Sequence, residues 1–138
     1  MAKKDRGRRP AAASGTLRPV PEVRNYDNET PKFCLHHVVR DFDVTALSAL
    51  RQAAFAKTLQ RLAARRWVDL ITAPRHGTGS EFIPAAQIKA SIPPRFQDRE
   101  RFLVFRYDGK LPMAGARVDD VYHVLWIEPE FNRLYDHE

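Results

Sequence analysis

Hydrophobic and polar residues first alternate at Lys32 to Arg40, where Phe33, Leu35, His37 and Val39 fall on one side and Cys34, His36 and Val38 on the other. That two-residue period predicts a strand. Asp41-Phe42-Asp43 interrupts it, and Asp43 is suited to cap a following helix. From Val44 to about Ala73 there is no Gly or Pro, and Ala, Leu, Arg and Gln dominate, which predicts helix in one long piece or two. Leu47 and Leu50 mark one apolar stripe and Phe55, Leu59, Leu62 and Leu70 another; their offset predicts a bend near Gln52–Ala54. Arg51, Lys57, Arg61 and Arg65 take the polar side, the ordinary position of a solvated face.

Pro74 to Ser80 reads as a loop. Four strand-like runs follow. Glu81 to Ile92 is broken by Pro84, and Arg101 to Tyr107 is apolar on both faces, as in a central strand. Asp108-Gly109 is a tight-turn signal, and Leu111 to Ala116 reads as an irregular extension of that hairpin. Val118 to Ile127 is the next strand, and a turn at Pro129 leads into a short last one from Arg133 to His137. The implied fold is α+β: an N-terminal strand, a helical hairpin, then an antiparallel β-meander. Helices would cover one face of the sheet and leave the other to solvent or a ligand. Trp67, Trp126, Tyr122 and Phe131 are expected to pack in the core.

Charge changes the picture at one end only. The net charge is +6, yet residues 1–24 hold seven basic and two acidic side chains, and the remainder 16 and 15. The basic character therefore belongs to a tail, and the rest is nearly neutral. Residues 1–30 are expected to be a flexible basic tail, rich in Pro, Ala, Ser and Gly, and residues 31–138 one domain. Such a tail suits salt-sensitive contact with nucleic acid, or only solubility. It lacks the apolar stretch of a secretory signal, and no apolar run approaches the roughly 20 residues needed to span a bilayer. A cytoplasmic location follows as the expectation.

The motifs for several chemistries are missing. Arg75 to Ser80, RHGTGS, lacks the Gly-Lys-Ser/Thr ending of a phosphate loop, and there is no GxGxxG or HExxH. Cys34 is the single cysteine, so no disulfide or cysteine cage forms within the chain, and neither a metal nor another cofactor is expected. Its neighbours His36 and His37 leave open a hydrolase or transferase using Cys34 with a histidine.

The richer inventory is His76, Glu81, Lys89, Arg106, Lys110, Arg117, His123, Tyr135 and His137. Metal-independent RNA cleavage needs such groups: one to withdraw the 2′-OH proton, one to protonate the leaving 5′-oxygen, and cations for the phosphorane. Histidine and tyrosine suit the acid and base, and arginine and lysine the phosphate. A different reading of these residues is a non-enzymatic module of a phage or mobile element that holds nucleic acid or protein. His123 alternates with Tyr122 and Val124, so a core position would make it a buried, hydrogen-bonded histidine instead.

The Ile88-Lys89 strand, the central strand ending in Phe105-Arg106-Tyr107, the aromatic strand Val121 to Ile127 and the terminal Tyr135-Asp136-His137 together resemble the RelE/HigB/YoeB superfamily of bacterial toxins. The resemblance is best over residues 81–138. It implies a RelE-like α+β fold and endoribonuclease action on mRNA, in many members on the ribosome, with an antitoxin protein as partner. It also implies that Tyr135 and His137 lie near the scissile phosphate as acid and base, that Arg106 and Arg117, with His123, serve the phosphate, and that Lys89, Lys110, Glu81 and His76 bind substrate. Two features depart from the family: His123 stands where an Arg is usual, and Lys110 to Ala116 is an insertion. More narrowly, Phe105-Arg106, Gly109 to Gly115, Val121 to Ile127 and Leu134 to His137 resemble a group of small bacterial and phage-associated proteins with no established activity.

Overall fold

The computed structural model describes residues 24–72 and 80–137. The elements are β1 (Lys32–Cys34), α1 (Ala49–Ala63), α2 (Trp67–Thr72), β2 (Ser80–Pro84), β3 (Arg101–Asp108), β4 (Leu111–Val118) and β5 (Val121–Ile127), with short 3-10 turns between some of them. They form one five-stranded sheet in the order β1-β5-β4-β3-β2. β2 to β5 are antiparallel neighbours, while β1 lies parallel to β5. The fold is thus mixed α+β, as the hydrophobic pattern predicts. No helix among the described residues is long and apolar enough to cross a membrane.

Several expected boundaries move, each for a physical reason. The first strand stops at Cys34 rather than Arg40, because a turn closed by Val38 N–H on the Leu35 carbonyl lifts the chain off the sheet. The chain returns to the same edge, where Val39 N–H reaches the Leu125 carbonyl and Phe42 accepts from Ile127 N–H. The bend expected near Gln52–Ala54 is absent. Ser48 caps α1, accepting from Arg51 N–H, so Leu47 is buried before the helix while Leu50 points outward, 85% exposed. That is why the two apolar stripes are offset. The real break falls at residues 64–66, and α2 is a six-residue piece rather than the second arm of a long hairpin.

Leu111 to Ala116 is no irregular extension but the first six residues of β4, and all six are buried. Pro112, which has no N–H for a ladder, sits where the β3–β4 register shifts between Arg106 and Asp108. The run Glu81 to Ile92 is a strand only to Pro84 and then turns. The short strand expected at Arg133 to His137 does not form. Asn132 takes a left-handed conformation (φ 68°), and the chain folds back over the sheet instead. Residues 25–30 are tied down as well: Trp67 N–H donates to the Glu29 carbonyl and Val68 N–H to that of Asp27.

Both faces of the sheet are covered. On one, α1 and α2 bury Phe55, Leu62, Trp67 and Leu70 against Leu103, Phe105, Met113, Tyr122, Val124 and Ile127. The opposite face, expected to be open, carries a second core of Phe96, Phe102, Val104, Ala114, Leu125, Trp126 and Leu134. Its cover is largely coil, drawn from residues 39–42, 85–96 and 134–135. A bulge makes this possible. Ala114 pairs with Trp126 but Gly115 with Val124, so Leu125 is an extra residue, and consecutive Leu125 and Trp126 both serve the second core.

At Gly115 the backbones of β4 and β5 leave no room for a side chain. A Cβ there would lie 1.9 Å from the His123 carbonyl oxygen on β5. Gly115→Ala should therefore force β4 and β5 apart and cost about 1–3 kcal/mol or more, read as a lower urea midpoint at unchanged m-value.

Candidate functional site

The cover of the second face leaves a cleft of about 810 Å³ beside β2 and the end of β3. Glu81 on β2, Arg106 on β3, Lys110 in the β3–β4 turn, and Tyr135 and His137 on the C-terminal segment all line it. Five of the nine sequence-predicted site residues are thus brought together from four separate stretches of chain.

Glu128, which follows β5, organises the C-terminal wall. Its side chain is fully buried, and its two carboxylate oxygens have separate partners: Leu134 N–H at 2.8 Å and His137 Nε2 at 2.7 Å. The His137 ring stacks on Tyr135 at 4.4 Å with planes 26° apart, and Phe131 meets it edge-on at 5.2 Å. Asn132 Oδ1 accepts from His137 N–H at 2.8 Å and closes the turn. Burial pushes the Tyr135 hydroxyl well above the ordinary tyrosine range, helped by the Glu81 and Glu128 carboxylates and opposed by Arg106. The phenol therefore stays protonated at neutral pH and can donate. Since a carboxylate accepts, Nε2–H of His137 donates to Glu128, and in the neutral ring Nδ1 is the nitrogen without a proton.

The other expected site residues lie elsewhere. Lys89 holds the C-terminal segment in place: its ammonium binds the Asn132 carbonyl at 3.0 Å and the Asp136 carboxylate, and its N–H the Leu134 carbonyl. It does not line the cleft. Arg117, on the helix-covered side of β4's far end, pairs with Asp27 at 2.9 Å and lies 4.3 Å over the Trp67 ring. It fastens residues 25–30 to the body. His76 falls outside the described residues.

His123 is buried, 7% exposed, and does not line the cleft. It packs against Phe96 at 5.3 Å and His37 at 5.9 Å, and its Nδ1 is buried with no hydrogen-bond partner. The expected hydrogen bond is thus missing at that nitrogen. Cys34 is its register partner across β1 and β5. Among the described residues, no group of three or more His, Cys, Asp or Glu is arranged to hold a metal ion.

Sequence reasoning missed Glu128. The only signal for Glu128 is an acid directly after a buried strand and before Pro129, which on its own reads as a turn. Phe131 is half exposed on the cleft wall rather than packed in the core. No family model, no curated protein and no solved structure matches this chain.

Burial, then the cations of Arg95, His37 and Arg99, hold the His123 pKa below its ordinary value. The folded state therefore resists a proton that the unfolded chain takes up below about pH 6.5. Stability should be fully present above that pH and fall as the pH drops through it towards the folded-state value. His123→Gln should flatten that acid-side loss, measured as urea midpoints between pH 8 and pH 5.

Proposed function

We propose that the cleft is the active site of a RelE/HigB/YoeB-like endoribonuclease that cleaves single-stranded mRNA without a metal. The observation that carries this reading is the Glu128–His137–Tyr135 arrangement facing Arg106 and Lys110 across one cleft. It supplies a base held in one tautomer, a protonated phenol and two cations, which together meet the needs of attack by a ribose 2′-oxygen.

In this mechanism His137 Nδ1 takes the 2′-OH proton, and the Glu128 carboxylate stabilises the imidazolium that forms. The 2′-oxygen bonds to the adjacent phosphorus. Arg106 and Lys110 neutralise the charge that builds on the phosphorane oxygens. The bond to the 5′-oxygen then breaks, and Tyr135 gives that oxygen its proton. The products are a 2′,3′-cyclic phosphate and a 5′-hydroxyl. A proton passes from His137 to Tyr135 through solvent to restore the site. Glu81 lines the same cleft as a substrate contact. Arg117, Lys89 and His123 have no part in this scheme, since their positions tie them to other work.

The reading extends to a cytoplasmic toxin with mRNA, on or off the ribosome, as substrate and an antitoxin protein as partner. Support comes from the order of strand, helices and antiparallel meander, and from the resemblance of residues 81–138. Mobile-element origin with binding alone is the reading that the same experiment separates from it.

Induction of the wild type in bacteria should arrest growth and create new mRNA 5′ ends. His137→Ala should lose both at equal protein level. In vitro, His137→Ala and Tyr135→Phe should each slow cleavage about 10²–10⁴-fold, and a 2′-deoxy substitution at the scissile nucleotide should abolish it. Normal growth with intact mRNA for the wild type would leave the binding module.

A further inference from the structure

The helices do not cover the whole of their face of the sheet. Trp67, at the start of α2, donates from Nε1 to the Asp120 carbonyl in the β4–β5 turn. Near the other end the Leu70 carbonyl accepts from Ser80 Oγ on β2, and the helix stops at Thr72. Beside it, over β2, β3 and β4, lies a hollow of about 510 Å³, a size suited to a small molecule.

The strand register decides which side chains border it. Phe82 pairs with Leu103 and Pro84 with Arg101, so Phe82, Leu103 and Arg101 point to one side of the sheet. That side is the helix-covered one, because Leu103 belongs to the core under α1 and α2. Gly115 is the partner of Leu103 on β4 and adds no side chain, which keeps the floor low. Ile71 of α2 and Phe82 of β2 line the same hollow, and they are 45% and 51% exposed. One exposed apolar side chain needs no explanation. Two around one apolar floor forgo burial that a ligand would supply.

Charge narrows the ligand. Arg99, Arg101 and Arg117 border the hollow, and Glu100 is the acid among its described lining residues. Arg117 is paired with Asp27, and Arg99 donates to the Arg117 carbonyl at 3.0 Å. The Arg101 guanidinium lies over the Phe82 ring at 3.9 Å, and its N–H donors have no acceptor among the described residues. Such a fork matches a carboxylate or a phosphate. The ring and the guanidinium together extend the surface on which a flat body can lie.

We propose that this hollow binds a small amphipathic anion, its aromatic body seated beside Ile71 and Phe82 on Leu103 and its one carboxylate or phosphate on Arg101. Arg99 adds a second positive charge at the rim. Tyr135 belongs to the core of the opposite face, so this site is separate from the cleft and stands apart from the ribonuclease reading.

The test titrates the isotope-labelled full chain with naphthoate, with the neutral naphthylmethanol of the same shape, and with acetate, following backbone amide NMR signals. Naphthoate should shift the Ile71, Leu103 and Gly115 amides saturably and bind about 10-fold more tightly than the alcohol. Acetate, which has no aromatic body, should not saturate. Arg101→Gln should remove the preference for the acid while leaving the alcohol's affinity unchanged, a result that a folding defect would not give. Phe82→Ser should weaken both ligands. A parallel titration with adenosine monophosphate distinguishes the two sources of the anion: the same shifts, lost in Arg101→Gln, would assign a nucleoside phosphate, and naphthoate binding without them would assign a carboxylate. Equal affinity for acid and alcohol, shifts that spare Ile71 and Gly115, or undiminished naphthoate binding by Arg101→Gln would each overturn the proposal.

Discussion

A single buried carboxylate sets the geometry on which the cleft depends. Glu128 is wholly withdrawn from solvent, where an unsatisfied carboxylate would be costly. It is placed by its own backbone: its N–H donates to Pro112 on β4 at 3.0 Å, and its carbonyl accepts from the Tyr107 hydroxyl of β3 at 2.7 Å. Once the backbone is fixed, the two carboxylate oxygens need donors, and only the following chain supplies them. Leu134 N–H takes one oxygen and His137 the other. The C-terminal segment therefore folds back over the sheet rather than adding a sixth strand. Leu134 fills the second core, and Tyr135 and His137 are left at the cleft.

The same constraint explains how a coil can carry a precise site. A helix satisfies its own backbone, but a coil covering a sheet must find partners group by group. Here Lys89 provides two, its N–H on the Leu134 carbonyl and its ammonium on the Asn132 carbonyl, while Asn132 closes on His137 N–H. Arg51 reaches the Pro129 carbonyl from the α1 side. These polar contacts surround one apolar anchor, Leu134, which is fully buried. Lys89 thus secures the wall of the cleft that carries Tyr135 and His137.

How much of this was legible in the sequence depended on the range of the interaction. Arg101 to Tyr107 and Val121 to Ile127 announced themselves, because a strand buried on both faces must be apolar throughout. Leu111 to Ala116 was equally apolar, but Pro112 and Gly115 are ordinarily strand breakers. Only the register shift beside Pro112 and the closeness of the His123 carbonyl to Gly115 make them fitting. Those are properties of the neighbouring strands. The closing Tyr135-Asp136-His137 drew attention through its chemistry, and Glu81, Arg106 and Lys110 join it in space. Arg117 and His123 looked equivalent from residue type, yet one pairs with Asp27, the other packs against Phe96, and neither lines the cleft. Residue type names the candidates, and tertiary placement chooses among them.

His123 and His137 occupy contrasting settings in this fold. His123 is surrounded by Phe96, another histidine and two nearby guanidiniums, an environment that disfavours its charged form. It cannot accept a proton without opposing its neighbours. His137 is a fifth exposed and has a carboxylate on one nitrogen. A proton-transfer catalyst must carry charge in one half of its cycle and lose it in the other. Of the two, only His137 lines the cleft, and the Glu128 carboxylate holds its other side; the proposed proton transfer rests on that placement.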